Sequence, residues 1–113
     1  MESEIVPHNQ NVVVLETGEE FEIPSGCYVR LERFSILEDY PDLEGQRVSV
    51  LMHVDAPTSD GRTATMNAAI NSFIIGKDFE QVSDLIIAPS DEATMKVVGA
   101  PVKVQVLFTK FPE

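Results

Sequence analysis

Short runs of alternating apolar and polar residues recur along this chain, and Gly, Pro, Asp or Ser residues end each run. The clearest run, residues 47–55, places Val48, Val50, Met52 and Val54 on one face and polar residues on most of the other. A period of two is typical of a β-strand with one buried and one wet face. The chain contains about eight such runs at short spacing, which predicts an all-β antiparallel sandwich or barrel.

One of the predicted strands contains apolar residues that change phase halfway along it. Val29 and Leu31 share one parity, whereas Phe34 and Ile36 share the other. One extra residue in a strand shifts its register by one and returns the apolar residues to a single face. We therefore predict a β-bulge at positions 32–33.

Residues 63–75 fit two interpretations. The even-numbered positions from 64 to 70 are apolar, as in a strand, but Met66, Ile70 and Phe73 also recur at helical spacing. Ala and Met favour a helix, whereas the Thr and Asn residues of this segment do not. The residues alone favour a strand only slightly.

The length of 113 residues is sufficient for one domain with one core. Residues 1–11 are mostly polar and predict a flexible lead-in, so we place a single β domain at residues 12–112. No apolar stretch approaches the roughly 20 residues of a membrane helix, so we expect no membrane association. The single cysteine, Cys27, is typical of a reducing compartment, and we expect an intracellular protein.

The charge of the chain is strongly negative and unevenly distributed. The net charge is -11, from 19 acidic and 8 basic residues. Residues 1–45 hold 11 of the acidic residues and only 2 of the basic ones. Such a chain repels nucleic acid and anionic membranes, so we expect neither as a direct partner. A basic protein is the partner class that this charge favours.

One segment concentrates the acidic residues. Glu38, Asp39, Asp42 and Glu44 lie within seven residues, with Tyr40 as the one aromatic among them. A cluster of this kind is often only a solvated loop. The alternative is a docking point for a basic partner, and its strength would grow if several copies met around an axis. We predict these four carboxylates as the partner-binding residues.

No pattern in the chain indicates catalysis, a cofactor or a metal. His8 and His53 have no Cys or His neighbour at metal-ligand spacing, and Cys27 has no partner in a recognisable dyad. The chain also lacks the Gly-rich fingerprints of nucleotide-binding loops and the Gly-x-Ser-x-Gly motif. We therefore expect a protein that is not an enzyme, with no cofactor and no metal.

Six short motifs follow one another along the chain. They are a first strand with a Gly-Glu turn, a strand followed by an acidic loop, the next strand, a strand with a Gly-Lys turn, a Gln-containing strand, and a closing strand after a glycine turn (residues 14–19, 28–44, 45–55, 70–77, 80–86 and 99–112). This order of strands and turns resembles the nucleoplasmin-like family, which includes histone chaperones and the N-terminal cores of nuclear prolyl isomerases. Family members often begin with a Phe-Trp-Gly element, which this chain lacks because it contains no Trp.

This resemblance implies an eight-stranded jelly-roll sandwich that assembles into a ring, a homopentamer, and it favours strands for residues 63–75. It implies an oligomerisation core of a nuclear or nucleolar protein whose acidic loops bind basic partners such as histones. We expect apolar residues of the closing strand and of residues 70–75 to form the subunit contacts: Ile70, Phe73, Ile75, Val104, Val106 and Phe108. The alternative is a jelly-roll module that binds a peptide or glycan, or has a structural role, without chaperone activity.

Overall fold

The computed structural model describes residues 10–112 and folds them into two facing antiparallel sheets of four strands each. The strands are β1 (Gln10–Glu16), β2 (Glu20–Glu22), β3 (Tyr28–Ser35), β4 (Arg47–Pro57), β5 (Thr63–Ile74), β6 (Glu80–Ile87), β7 (Glu92–Gly99) and β8 (Lys103–Phe111). The first sheet has the order β1-β8-β3-β6 and the second the order β2-β7-β4-β5. This is the predicted all-β, eight-stranded antiparallel sandwich with jelly-roll topology.

The alternation in β4 sets which face of the second sheet is buried. Val48, Val50, Met52 and Val54 are all buried, whereas His53 between them is exposed. β4 pairs with β7 on one side and β5 on the other, so its apolar face lies at the centre of the sandwich. The period of two predicted this strand and its buried face correctly.

The predicted bulge in β3 is also present. The register of β3 shifts between Leu31 and Arg33 against both of its neighbours, β6 and β8. Because of this shift, Val29, Leu31 and Phe34 all point inward and are fully buried despite their different parity. The bulge therefore keeps a single apolar face along the whole strand.

The ambiguous segment is a strand. β5 pairs with β4 from Thr63 opposite Pro57 to Ile74 opposite Arg47, with a register shift between Val50 and Leu51. Within residues 10–112 the helical structure is limited to one 3-10 turn, Pro41–Leu43, and none of it is long and apolar enough to cross a membrane. Strand pairing with β4 therefore decides the conformation of residues 63–74, although their apolar residues also recur at helical spacing.

The first strand begins two residues before the predicted domain boundary. Gln10 and Asn11 pair with Thr109 and Phe108 of β8, so they belong to β1 and not to a lead-in. The rest of the predicted lead-in, including His8, lies outside the described residues.

The core fills the space between the sheets and draws on strands from both of them. Its largest fully buried side chains are Phe34, Phe73, Leu31 and Met95. The tilted rings of Phe21 in β2 and Phe108 in β8, with centroids 5.8 Å apart, bring the two sheets into contact. Burial of these large apolar side chains is the main source of the stability of the sandwich.

Candidate functional site: an acidic end and an apolar outer face

The four predicted carboxylates lie on the connection between β3 and β4, and all four are exposed to solvent. Glu38, Asp39, Asp42 and Glu44 are spread around the 3-10 turn at Pro41–Leu43. Backbone hydrogen bonds from Leu43 to Tyr40 and from Gln46 to Leu43 hold this turn together. The structure therefore brings the four residues into one ordered acidic loop, which we define as residues 37–46.

Tyr40 anchors the first half of the acidic loop. Its half-buried ring packs against the core, and its hydroxyl donates a hydrogen bond of 2.6 Å to Glu38. The same oxygen accepts a bond of 3.1 Å from the backbone N–H of Lys103, at the start of β8. Burial, followed by the hydrogen bond to Glu38, raises the pKa of the Tyr40 hydroxyl, which therefore stays protonated and neutral at physiological pH. Tyr40 thus holds Glu38 at the start of β8.

The second half of the acidic loop is fixed to the turn between β5 and β6. The Gly45 N–H donates to the Ile75 carbonyl at 2.8 Å, and the Ile75 N–H donates to the Gln46 carbonyl at 2.9 Å. The stem of Glu44 lies so close to Gly76 that a Cβ built there would be 2.5 Å from its Cγ. Leu43 packs against the core between these contacts. The loop is therefore held at both ends while its carboxylates face water.

Further carboxylates join the loop at the same end of the sandwich. The antiparallel topology places the turns after β1, β5 and β7 beside the loop after β3. Glu16 and Glu19 of the first turn, and Asp78 of the β5–β6 turn, lie at this end, which we call the acidic end. Glu19 accepts a hydrogen bond of 2.8 Å from the Glu16 N–H, and Asp78 accepts one of 2.8 Å from the Ile74 N–H. Sequence reasoning missed these residues because they are distant from the loop in sequence, although the strand–turn order could have placed them there.

The structure corrects most of the predicted subunit contacts. Five of the six residues are at most 5% exposed and belong to the core of a single subunit: Phe73, Ile75, Val104, Val106 and Phe108. Side chains that are already packed between the two sheets leave no surface for a second subunit. Ile70, the sixth residue, is half-buried and packs against the same core. The prediction identified apolar strand residues but took the inward face for the outward one.

The exposed apolar residues instead lie mostly on the outer face of the first sheet and at its border. Val12 and Val14 of β1 are 58% and 50% exposed, and Val82 and Ile86 of β6 are 74% and 58% exposed. Leu37, the first residue of the acidic loop, is 69% exposed and lines a groove with Val14. We call these five residues the apolar outer face. The sequence places Val12 with Val14, and Val82 with Ile86, on one face of their strands, but it does not indicate that this face is the outer one.

The outer face of the second sheet carries a hydrogen-bonded polar cluster. His53 contacts the Asn67 amide oxygen through Nδ1 at 2.7 Å and Asp55 through Nε2 at 3.2 Å. Thr65 donates a bond of 2.6 Å to the other Asp55 oxygen. The bonds to Asn67 and Asp55 raise the pKa of the His53 imidazole, whereas the bond from Thr65 lowers the pKa of Asp55. Both ring nitrogens face acceptors, an arrangement that only the protonated imidazole satisfies fully.

This polar cluster contains two side chains of the types that bind metal ions, His53 and Asp55. In the part of the chain that the structure describes, no group of three or more His, Cys, Asp or Glu side chains is arranged to hold a metal ion. Cys27 is half-buried next to the core and is not hydrogen-bonded to His53.

In sequence, the chain matches no protein-family model and no curated protein. Its fold, in contrast, is similar to a solved structure, the Drosophila NLP core, with a TM-score of 0.64 at 15% sequence identity. The similarity covers 90% of this chain and 97% of that one. The crystal structure of the Drosophila protein provides insight into pentamer formation and histone binding. At this level of identity, the similarity shows that the two chains share a nucleoplasmin-like β-sandwich fold.

Proposed function

We propose that this chain is a nucleoplasmin-like oligomerisation core that assembles into a homopentameric ring and binds basic partners such as histones. We further propose that it acts in the nucleus, on chromatin or in the nucleolus, and that it is not an enzyme. The proposal is supported by the fold similarity to the Drosophila NLP core, together with two surfaces of this chain. The main observation that supports this proposal is the acidic loop, whose four carboxylates are exposed on an anchored backbone.

Assembly would use the apolar outer face. Large exposed apolar side chains that lie on one sheet face are typical of an interaction surface. A cyclic ring requires two different patches that contact each other in neighbouring subunits. Val12 and Val14 lie on one edge strand of the first sheet, whereas Val82 and Ile86 lie on the other. The two edges therefore offer the two patches that a ring contact needs.

Binding would use the acidic end of each subunit. Exposed ion pairs contribute little individually, but a ring repeats the same acidic loop around one axis. A basic partner with several Lys or Arg residues would then contact several loops at once. This arrangement predicts an affinity that depends strongly on both salt concentration and assembly.

Native mass spectrometry tests the assembly. We expect a particle whose mass is about five times the subunit mass of 12.5 kDa, or twice that mass where two rings associate. Val14→Glu, which places a charge on the apolar outer face, should dissociate the ring into smaller species. The matched control is Leu51→Glu, because Leu51 is also exposed (38%) but lies on the second sheet. A strictly monomeric wild-type protein would refute the ring.

A charge-neutralised loop tests the binding. The variant replaces the four acidic loop residues by their amides (Glu38→Gln, Asp39→Asn, Asp42→Asn and Glu44→Gln). The control does the same to four acids at the opposite end of the sandwich (Glu22, Asp60, Asp91 and Glu92). We expect the loop variant to bind core histones at least about tenfold more weakly, with a shallower salt dependence. Equal losses in the loop variant and the control would mean that total charge, and not the acidic loop, governs binding.

A further inference from the structure

β5 contains no charged residue, although 24% of the residues in the chain are charged. The strand is 12 residues long and consists of Thr, Ala, Met, Asn, Ile, Ser and Phe. Its first seven residues, 63–69, are all exposed, and Met66 is 61% exposed. This stretch is therefore a neutral strip on the surface of an acidic protein.

β5 is also the edge of the second sheet. It pairs with β4 on one side, and within residues 10–112 no strand pairs with its other side. An edge strand presents a row of backbone N–H and C=O groups on which another strand can pair. The Gln81 side chain donates a hydrogen bond to the Ser72 carbonyl near the end of β5, so the stretch that an additional strand could use is residues 63–69.

The other three edge strands carry the features that discourage such pairing. β2 has only three residues, and two of them are glutamates. β6 contains Glu80 and Asp84, and β1 ends in Glu16. Short length and charged side chains are the usual means by which proteins protect sheet edges. Among the edges that the structure describes, β5 alone is long and uncharged.

The charge of the chain indicates which partner β5 fits. Two copies of a protein with a net charge of -11 repel each other unless they meet through a neutral surface. A basic segment, in contrast, would find no carboxylate on β5 itself. Antiparallel pairing of two identical strands around a two-fold axis is also self-complementary, because each copy offers the same edge to the other.

We propose that residues 63–69 of β5 pair with the same residues of a second copy, which joins the two second sheets into one continuous sheet. This contact is separate from the ring contact through the apolar outer face, and it deepens the proposed self-association. Where the ring exists, the β5 contact would join one ring to another. Each β5 pair is a small contact, but several pairs acting together would bind more strongly.

Native mass spectrometry of edge variants tests this contact. Ala68→Glu and Ala64→Glu each place a like charge in the neutral strip of both copies, whereas Ala68→Gln has nearly the same size without the charge. We expect either Glu variant to halve the mass of the wild-type particle and the Gln variant to retain it. Circular dichroism should show the same strand content in all of them. A wild-type mass retained in both Glu variants would overturn the proposal.

The same measurement separates this proposal from the ring. A five-subunit wild-type particle that the Glu variants leave unchanged would refute the β5 contact and leave the ring standing. A two-subunit wild-type particle that Ala68→Glu splits into monomers would refute the ring and support the β5 contact. Val14→Glu, which acts on the apolar outer face, should dissociate rings and leave the β5 contact in place.

Discussion

Gly99→Ala adds a single methyl group and removes no buried side chain, yet we expect it to destabilise the fold strongly. Gly99 lies at the end of β7 with φ at +107°, a conformation that side-chain-bearing residues rarely adopt. A Cβ built on it would be 2.4 Å from the Arg47 carbonyl oxygen and 3.1 Å from the Val48 Cα. Both of these atoms belong to the backbone of β4, so a side-chain rotation cannot relieve the contact.

Gly26 provides the matched control. Its φ of +84° is also positive, but a Cβ there would meet nothing within 4 Å. Alanine at either position incurs the backbone strain of a positive φ, about 1–2 kcal/mol. Only Gly99→Ala adds a collision with the backbone, which must move β4 away from the β7–β8 turn and weaken the hydrogen bond of 3.1 Å from the Ala100 N–H to the Arg47 carbonyl.

We therefore expect Gly26→Ala to lower the free energy of unfolding by about 1–2 kcal/mol, and Gly99→Ala to lower it by at least about 2 kcal/mol more. Urea denaturation followed by circular dichroism measures both, at one fixed protein concentration because the proposed assembly would also contribute to stability. Equal losses in the two variants would refute the argument that β4 and the β7–β8 turn approach too closely for a side chain.

Two further perturbations test the core and the polar cluster. Val97→Ala should lower the free energy of unfolding by about 2 kcal/mol, because Val97 is fully buried. Val98→Ala changes a half-buried, outward position of the same strand and should lower it by less than about 1 kcal/mol. Similar losses for the two variants in urea denaturation would contradict the assigned inward face. Asn67→Ala should move the His53 pKa down towards its ordinary value of 6.5, as measured by an NMR titration, because the bond to Asn67 contributes most to raising it. Protonated His53 contributes its full stability below its ordinary pKa, and this stability is lost as the pH rises through the raised pKa of the folded protein. Asn67→Ala should therefore shift this loss to lower pH. An unchanged His53 pKa would contradict the assigned hydrogen bond to Asn67.

Local sequence patterns predicted the strands of this protein well because each strand has one face in the core. The alternation of Val48, Val50 and Met52 encodes the inward face of β4, and the phase change after Leu31 encodes the bulge in β3. The acidic loop was predicted in the same way, because its carboxylates are close together in sequence. These features depend on a few neighbouring residues, and therefore a single sequence contains them.

The features that sequence reasoning missed depend on how distant strands meet. Apolar residues occur on both faces of the first sheet, and the sequence does not indicate which set faces the second sheet. Val104 and Val14 are both apolar strand residues, yet the first is fully buried and the second is 50% exposed. The edge position of β5 likewise follows from the strand order of the whole sheet. Long-range pairing thus decides which apolar residues remain available to a partner.

The two anchors of the acidic loop have a consequence for the thermodynamics of recognition. A disordered acidic segment loses conformational entropy when a ligand fixes it, and this loss opposes binding. The loop between β3 and β4 is already ordered by the Tyr40 hydroxyl at one end and by the paired backbone of Gly45 and Ile75 at the other. Folding has therefore already met much of this entropic cost, so a basic partner that binds the loop as proposed would lose less affinity to ordering it.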